Sequence, residues 1–127
     1  MKPKRILIAD DDATLVRILE MRLRHMGFNT QASHDAMHAL TLVHRDPPDL
    51  VLLDINMPAG DGLAACEMLA NDRRLQHIPV VVVTGRSDQK TVDRCHELGV
   101  PLVVKNGDVW SNLKHVVGEV FSMAGVA

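Results

Sequence analysis

The chain has 127 residues, 46% of them hydrophobic and 24% charged, with a formal net charge of −2. That length suits one domain spanning 1–127 with an apolar core, and the charge balance excludes the basic face of a nucleic-acid binder. No apolar run approaches the roughly 20 residues of a membrane span, and the one behind the basic opening stops at Asp10, short of a signal-peptide core, so a cytoplasmic protein without membrane contact is expected.

The first apolar run, 6–9, is short and uninterrupted, as in a strand buried on both faces. A helix-period segment follows, with Leu15, Ile18, Leu19, Leu23 and Met26 assigned to one face and Gly27 where a C-cap belongs. Residues 28–33 read as an edge strand, because Asn29, Thr30 and Gln31 interrupt the apolar pattern. A second helix is expected from near Asp35, carrying Ala36, Ala39, Leu40 and Val43, and Pro47-Pro48 forbids its continuation. Run 50–53 is a second fully buried strand. A third helix carries Leu63, Cys66 and Leu69 and decays around Asn71-Asp72. Run 80–83 precedes a fourth helix with Val92, Cys95 and Leu98, ending at Gly99. Run 100–104, containing Pro101, precedes the last helix, with Val109, Leu113, Val116, Val117 and Val120. The tail 123–127 is a frayed helix end or the stub of a longer protein. The alternation is β-α five times over, which gives an α/β fold: a parallel sheet covered by helices on both faces.

The polar residues fall where the buried runs end. The first runs into Asp10, Asp11 and Asp12, the third into Asp54, the fourth into Thr84 and the fifth into Lys105. Asp12 abuts a helix and reads as its N-cap. In open α/β sheets ligands sit at the carboxyl ends of the strands, so these groups converge on one crevice. Clustered carboxylates repel, and a hard divalent cation relieves them. Oxygen donors without His or Cys point to Mg²⁺ or Mn²⁺ rather than Zn²⁺. An Asp oxygen can then attack phosphorus in line, with the metal, Lys105 and Thr84 sharing the charge of the transferring group.

The segments Ile8-Ala9-Asp10-Asp11-Asp12, Leu53-Asp54-Ile55-Asn56-Met57-Pro58, Asp61-Gly62, Val83-Thr84-Gly85 and Val104-Lys105 together resemble the receiver domain of bacterial two-component response regulators. The resemblance covers essentially the whole chain. It implies a flavodoxin-like, doubly wound sheet of five parallel strands in the order 2-1-3-4-5 with five helices. It implies Asp54 as phosphoacceptor, Asp10 and Asp11 as the acidic pair for Mg²⁺, a backbone carbonyl ligand from Asn56, Thr84 as the switch hydroxyl and Lys105 as the lysine that contacts the phosphoryl group. The metal ligands are thus Asp10, Asp11, Asp54 and Asn56. The implied partner is a sensor histidine kinase or a histidine phosphotransfer protein, with a homodimer through the fourth helix, fifth strand and last helix as a further expectation.

The sequence departs from the family pattern in two places. Lys105 is followed by Asn106-Gly107 where the family usually has a proline after a cis bond. A cis bond before a non-proline costs about 3–4 kcal/mol, so a trans bond and an Asn-Gly turn are expected. The switch position on the fifth strand, commonly aromatic, is Leu102, so no ring can rotate inward as the readout. Gly85 follows Thr84 where alanine is common, which loosens that loop.

Other candidates read as structural. His34 and His38 are spaced i, i+4, but the spacing counts only if the helix begins early enough, and no third ligand is near. Arg73-Arg74 reads as a solvated helix end and Asp61-Gly62 as a turn with a cap. Met21, Met26, Met37 and Met68 read as packing or surface, and Cys66 and Cys95 as reduced, packed thiols. The leading expectation is a phosphorylation switch that catalyses only its own phosphorylation and dephosphorylation and is otherwise not an enzyme. Its side chains at Asn56 and Arg86 are expected to tune hydrolysis of the acyl phosphate. Its rivals are a phosphorylation-independent docking or dimerisation module, favoured by the departures at Leu102 and Asn106, and a hydrolase with an aspartyl-phosphate intermediate, for which the chain has little spare length.

Overall fold

The computed structural model describes residues 2–57 and 61–122, so Pro58 and the tail 123–127 lie outside the described residues. The elements run β1 (Arg5–Ala9), α1 (Ala13–His25), β2 (Asn29–Ser33), α2 (Ala36–Arg45), β3 (Leu50–Leu53), α3 (Gly62–Ala70), β4 (Val80–Thr84), α4 (Gln89–Leu98), β5 (Leu102–Val104) and α5 (Val109–Phe121). The strands form one parallel sheet in the order β2-β1-β3-β4-β5. The fold is the doubly wound one expected, with the crossover reversing direction beside β1.

The period of two along each strand sorts side chains to the two faces. Ile6, Ile8, Leu50, Leu52, Val81, Val83 and Val103 pack with Val16, Leu19 and Leu23 of α1 and Leu113 and Val117 of α5. Leu7, Ala9, Val51, Leu53, Val80 and Val82 pack with α2, α3 and α4 on the other face. Phe28 closes the first cluster against Phe121, ring centroids 5.2 Å apart. Cys66 and Cys95 are free and buried in the second, and burial pushes the Cys66 thiol up to about 12, which keeps it protonated and unreactive.

All five helices start on an aspartate. Asp12, Asp35, Asp61, Asp88 and Asp108 each accept a backbone N–H two or three residues on, at 2.7 to 3.1 Å. Asp12 and Asp61 are therefore the caps the sequence suggested. Gly99 ends α4 at φ +70, the left-handed conformation that glycine reaches without strain.

Two expectations are corrected. The sequence places Ile18 on the buried face of α1, but it is 40% exposed, because at 100° per residue it lies about 130° from the middle of the stripe through Val16, Leu19 and Leu23. The fifth strand begins at Leu102 rather than 100, because Pro101 has no N–H to donate; its carbonyl still accepts from Val82 N at 2.9 Å. The second helix begins at Ala36 behind its cap Asp35, where the sequence places its start, so His34 lies outside it and the i, i+4 spacing with His38 is not a helical one. Met21, Met37 and Met68 are exposed and Met26 is half-buried, and Arg73 and Arg74 are exposed just beyond α3. No described helix is long and apolar enough to cross a membrane.

Candidate functional site

Strand register assembles the site. Ala9 of β1 lies beside Leu53 of β3, so the residues that follow, Asp10 and Asp54, leave the sheet side by side. The Asp54 N–H donates to the Ala9 carbonyl at 2.9 Å, extending that ladder. Thr84, the last residue of β4, lies beside Val104 of β5, and Lys105 comes next, its N–H donating to the Thr84 carbonyl at 2.7 Å. All four strands deliver their polar residues at the carboxyl edge.

Asp10 and Asp54 are only 3% and 4% exposed, and each is held from two sides. The Lys105 Nζ lies 2.7 Å from Asp10 Oδ2 and 3.1 Å from Asp54 Oδ2. The other oxygens accept backbone N–H groups: Asp10 Oδ1 from Asp12 at 2.9 Å, Asp54 Oδ1 from Asn56 at 3.1 Å. Asp11 is exposed at the rim, and one carboxylate oxygen from each of Asp10, Asp11 and Asp54 lies within 4.8 Å of the others. Burial pushes the Asp10 carboxyl above its usual range, against the opposing pull of Lys105 and the Asp12 N–H. Burial alone would lower Lys105, but hydrogen bonds to Asp10 and Asp54 outweigh it and hold the ammonium's pKa above normal.

One ammonium among three carboxylates leaves two negative charges uncompensated in a largely buried site. An all-oxygen donor set with that excess suits a hard divalent cation, so the residues present fit Mg²⁺ or Mn²⁺.

Thr84 is fully buried at the same edge, but its hydroxyl is engaged elsewhere, accepting the Arg86 N–H at 3.2 Å. Among the described residues the hydroxyl makes no hydrogen bond to Asp54 or Lys105. The Arg86 side chain spans the mouth of the site, donating to Asn56 Oδ1 and to Asp88 Oδ1, both at 3.4 Å. The Lys105–Asn106 bond is trans, as expected. The Asn106 N–H donates back to the Val104 carbonyl at 2.9 Å, a three-residue turn centred on Lys105, and Gly107 takes φ +46. Lys105 reaches both carboxylates from this turn. Leu102 is half-buried against the α2-α3-α4 cluster.

Sequence reasoning missed two contributors. Gly62 opens α3 directly on the Asp54 segment, where a Cβ would sit 2.4 Å from Ile55 Cα and 2.5 Å from the Asp54 carbonyl oxygen. The Asp61-Gly62 pair was readable as a turn, but the closeness of the two backbones is a tertiary fact. His34, weighed only as half of a metal pair with His38, is exposed and places Nδ1 3.1 Å from the Asp10 carbonyl oxygen.

A parallel five-stranded sheet with a buried aspartate, a lysine and an acidic pair at its carboxyl edge defines a class of signalling domain, and the response regulator receiver domain model matches residues 6–107. The chain belongs to that family, the receiver domains of two-component systems. It is similar to the response regulator PleD of Caulobacter vibrioides, 41% identical over 88 residues, which are 67% of this chain and 19% of PleD. It is similar also to the DNA-binding response regulator MtrA of Mycobacterium tuberculosis, 42% identical over 90 residues, 71% of this chain and 37% of MtrA. The chain thus spans well under half the length of these curated relatives. Among solved structures, the Mn²⁺-bound form of response regulator Rcp1 superposes with a TM-score of 0.80 at 25% identity, covering 95% of this chain and 94% of that one.

Proposed function

We propose that this receiver accepts a phosphoryl group on Asp54 from a phosphohistidine on a sensor kinase or phosphotransfer protein, and uses it as a conformational switch. The observation that carries the reading is the Lys105 ammonium bridging the buried Asp10 and Asp54 carboxylates, with Asp11 completing a three-acid cluster. An Asp54 oxygen attacks phosphorus; the P–N bond of the donor breaks, its electron pair stays on the imidazole nitrogen, and an acyl phosphate forms. Lys105, already beside the attacking carboxylate, is placed to pair with a phosphoryl oxygen. Asp10, Asp11, Asp54 and the Asn56 carbonyl would hold Mg²⁺, which supplies charge neutralisation for the transferring group. The manganese in the Rcp1 structure is consistent with that choice of ion.

Movement of the Thr84 hydroxyl toward a phosphoryl group, to which it can donate its proton, would strain its contact with the Arg86 N–H. The same motion disturbs the Arg86 bridge to Asn56 and Asp88, which gives the switch a mechanical path into α4. The chain catalyses only the gain and loss of its own phosphate. The docking-module alternative drew on Asn106 and Leu102, and Asn106 does not keep Lys105 from the carboxylates. Acetyl phosphate with Mg²⁺ followed by intact mass is the direct test. One added phosphate is expected in wild type and none in Asp54→Asn. An unmodified wild type, or modification that persists in Asp54→Asn, refutes the assignment.

A further inference from the structure

We propose that His34 is a positioning residue for the acidic pair: its Nδ1–H clamps the Asp10 carbonyl and thereby orients Asp11 toward the cation site. The inference rests on the metal reading of that site. Of the three acids, Asp10 and Asp54 are each held through both oxygens. Asp11 is exposed, and among the described residues its carboxylate makes no hydrogen bond or ion pair. Its direction is set by its backbone. The peptide that leads into it is planar, so fixing the Asp10 C=O fixes the plane on which the Asp11 Cα lies.

The ladder between β1 and β2 does not supply that anchor. It ends with the Asp10 N–H on the Ser33 carbonyl at 2.9 Å, after which the chain turns at Asp35 to cap α2. The next rung, a β2 donor for the Asp10 carbonyl, is missing. The His34 side chain takes its place, Nδ1 to oxygen 3.1 Å. A carbonyl can only accept, so Nδ1 carries the proton of this contact. The strand below is braced in the same manner. Ser33 is fully buried, its hydroxyl donates to the Asp35 carbonyl at 3.0 Å, and the His38 Nδ1 lies 3.0 Å from its oxygen. With its one proton spent on Asp35, Ser33 Oγ accepts from His38, which is likewise the Nδ1–H form. A side chain that orients a ligand from behind is a common determinant of metal affinity.

Two measurements test this. Long-range ¹H–¹⁵N correlation spectra of the metal-free protein at pH 8 are expected to show His34 as the Nδ1–H tautomer. Mg²⁺ titrations then compare wild type with His34→Leu, which keeps a branched side chain but has no donor, and His34→Asn, whose amide nitrogen is the same number of bonds from Cα as Nδ1. His34→Leu is expected to bind Mg²⁺ about tenfold more weakly, with the apo fold retained, and His34→Asn to bind close to wild type. An Nε2–H tautomer overturns the proposal without any variant, and so does wild-type affinity in His34→Leu. Asp11→Asn separates the two levels. If it abolishes Mg²⁺ binding while His34→Leu does not weaken it, the clamp alone fails. If wild type binds no Mg²⁺, or Asp11→Asn binds it as well as wild type, the metal reading fails and the clamp with it.

Discussion

At the scale of single residues, the site depends on a glycine that carries no chemistry. Gly62 lets the start of α3 touch the backbone of Ile55 and Asp54, and a methyl group there would overlap two main-chain atoms at 2.4 and 2.5 Å. Neither neighbour is a side-chain end that could swing aside. Gly62→Ala is expected to cost about 3 kcal/mol, the upper end of ordinary overpacking, because the backbone itself must move. A urea midpoint falling with an unchanged slope would report it; a midpoint equal to wild type would show that α3 can retreat freely. Gly85 is the contrast, since a Cβ built there meets nothing within 4 Å and Gly85→Ala has room. What was legible at this scale was the identity of the polar residues. Asp10, Asp54, Thr84 and Lys105 could be picked out because each ends an apolar run. Gly62 and His34 could not, because their importance lies in contacts across the chain, with Asp54 and Asp10 respectively, that no local spacing announces.

At the scale of elements, every helix opens on an aspartate whose carboxylate substitutes for the missing turn of backbone acceptors. Replacing one of them, Asp35→Ala, is expected to cost about 1 kcal/mol. Two of the caps also set a pH dependence. Asp88 and Asp108 are held below the usual carboxylate range, first by the Thr91 and Ser111 hydroxyls and then by the backbone N–H groups of the same residues. Asp72, in the turn after α3, is lowered chiefly by the Arg74 N–H. A carboxylate depressed on folding adds stability above its unfolded value, roughly 3.9, and loses it as the pH falls through the lower folded value. Thermal midpoints followed by circular dichroism are therefore expected to drop below about pH 4, and less steeply in the Asp88→Asn, Asp108→Asn double variant, which caps without titrating. Equal acid limbs in the two proteins would remove the caps from the explanation. Helix and strand existence was readable from periodicity. The face of α1 was read too broadly because Ile18 is apolar yet lies off the stripe, and β5 was read too long because Val100 belongs to the run but not to the ladder.

At the scale of the molecule, the sheet order and register convert four separated segments into one charged crevice, and that was the most legible feature of all. Parallel strands with buried faces leave few topologies, and each puts strand ends together. A crevice with excess negative charge is a stability problem until a cation enters. Saturating Mg²⁺, at 100 times its dissociation constant, is expected to stabilise the fold by about 2.7 kcal/mol, read as a higher melting temperature that chelator reverses. Asp10, raised by burial, takes a proton earlier on acidification than an exposed aspartate does. The Mg²⁺-dependent rise should shrink as the pH falls toward the carboxylate range, since protons compete with the ion for the Asp10 oxygen. For the metal-free fold the sign is opposite, because a raised acid is a neutral-pH liability that fades as the pH drops. A magnesium increment that stays constant through the whole acid limb, down to where the fold melts, would exclude Asp10 from the ion's coordination. The Lys105 ammonium gives the crevice one more property. An incoming divalent ion would share two of its acids with a tethered monovalent cation already seated between them. With one positive charge already supplied from within the chain, sodium or potassium is expected to raise the melting temperature less than magnesium at equal concentration, because a single further charge offsets only part of the excess.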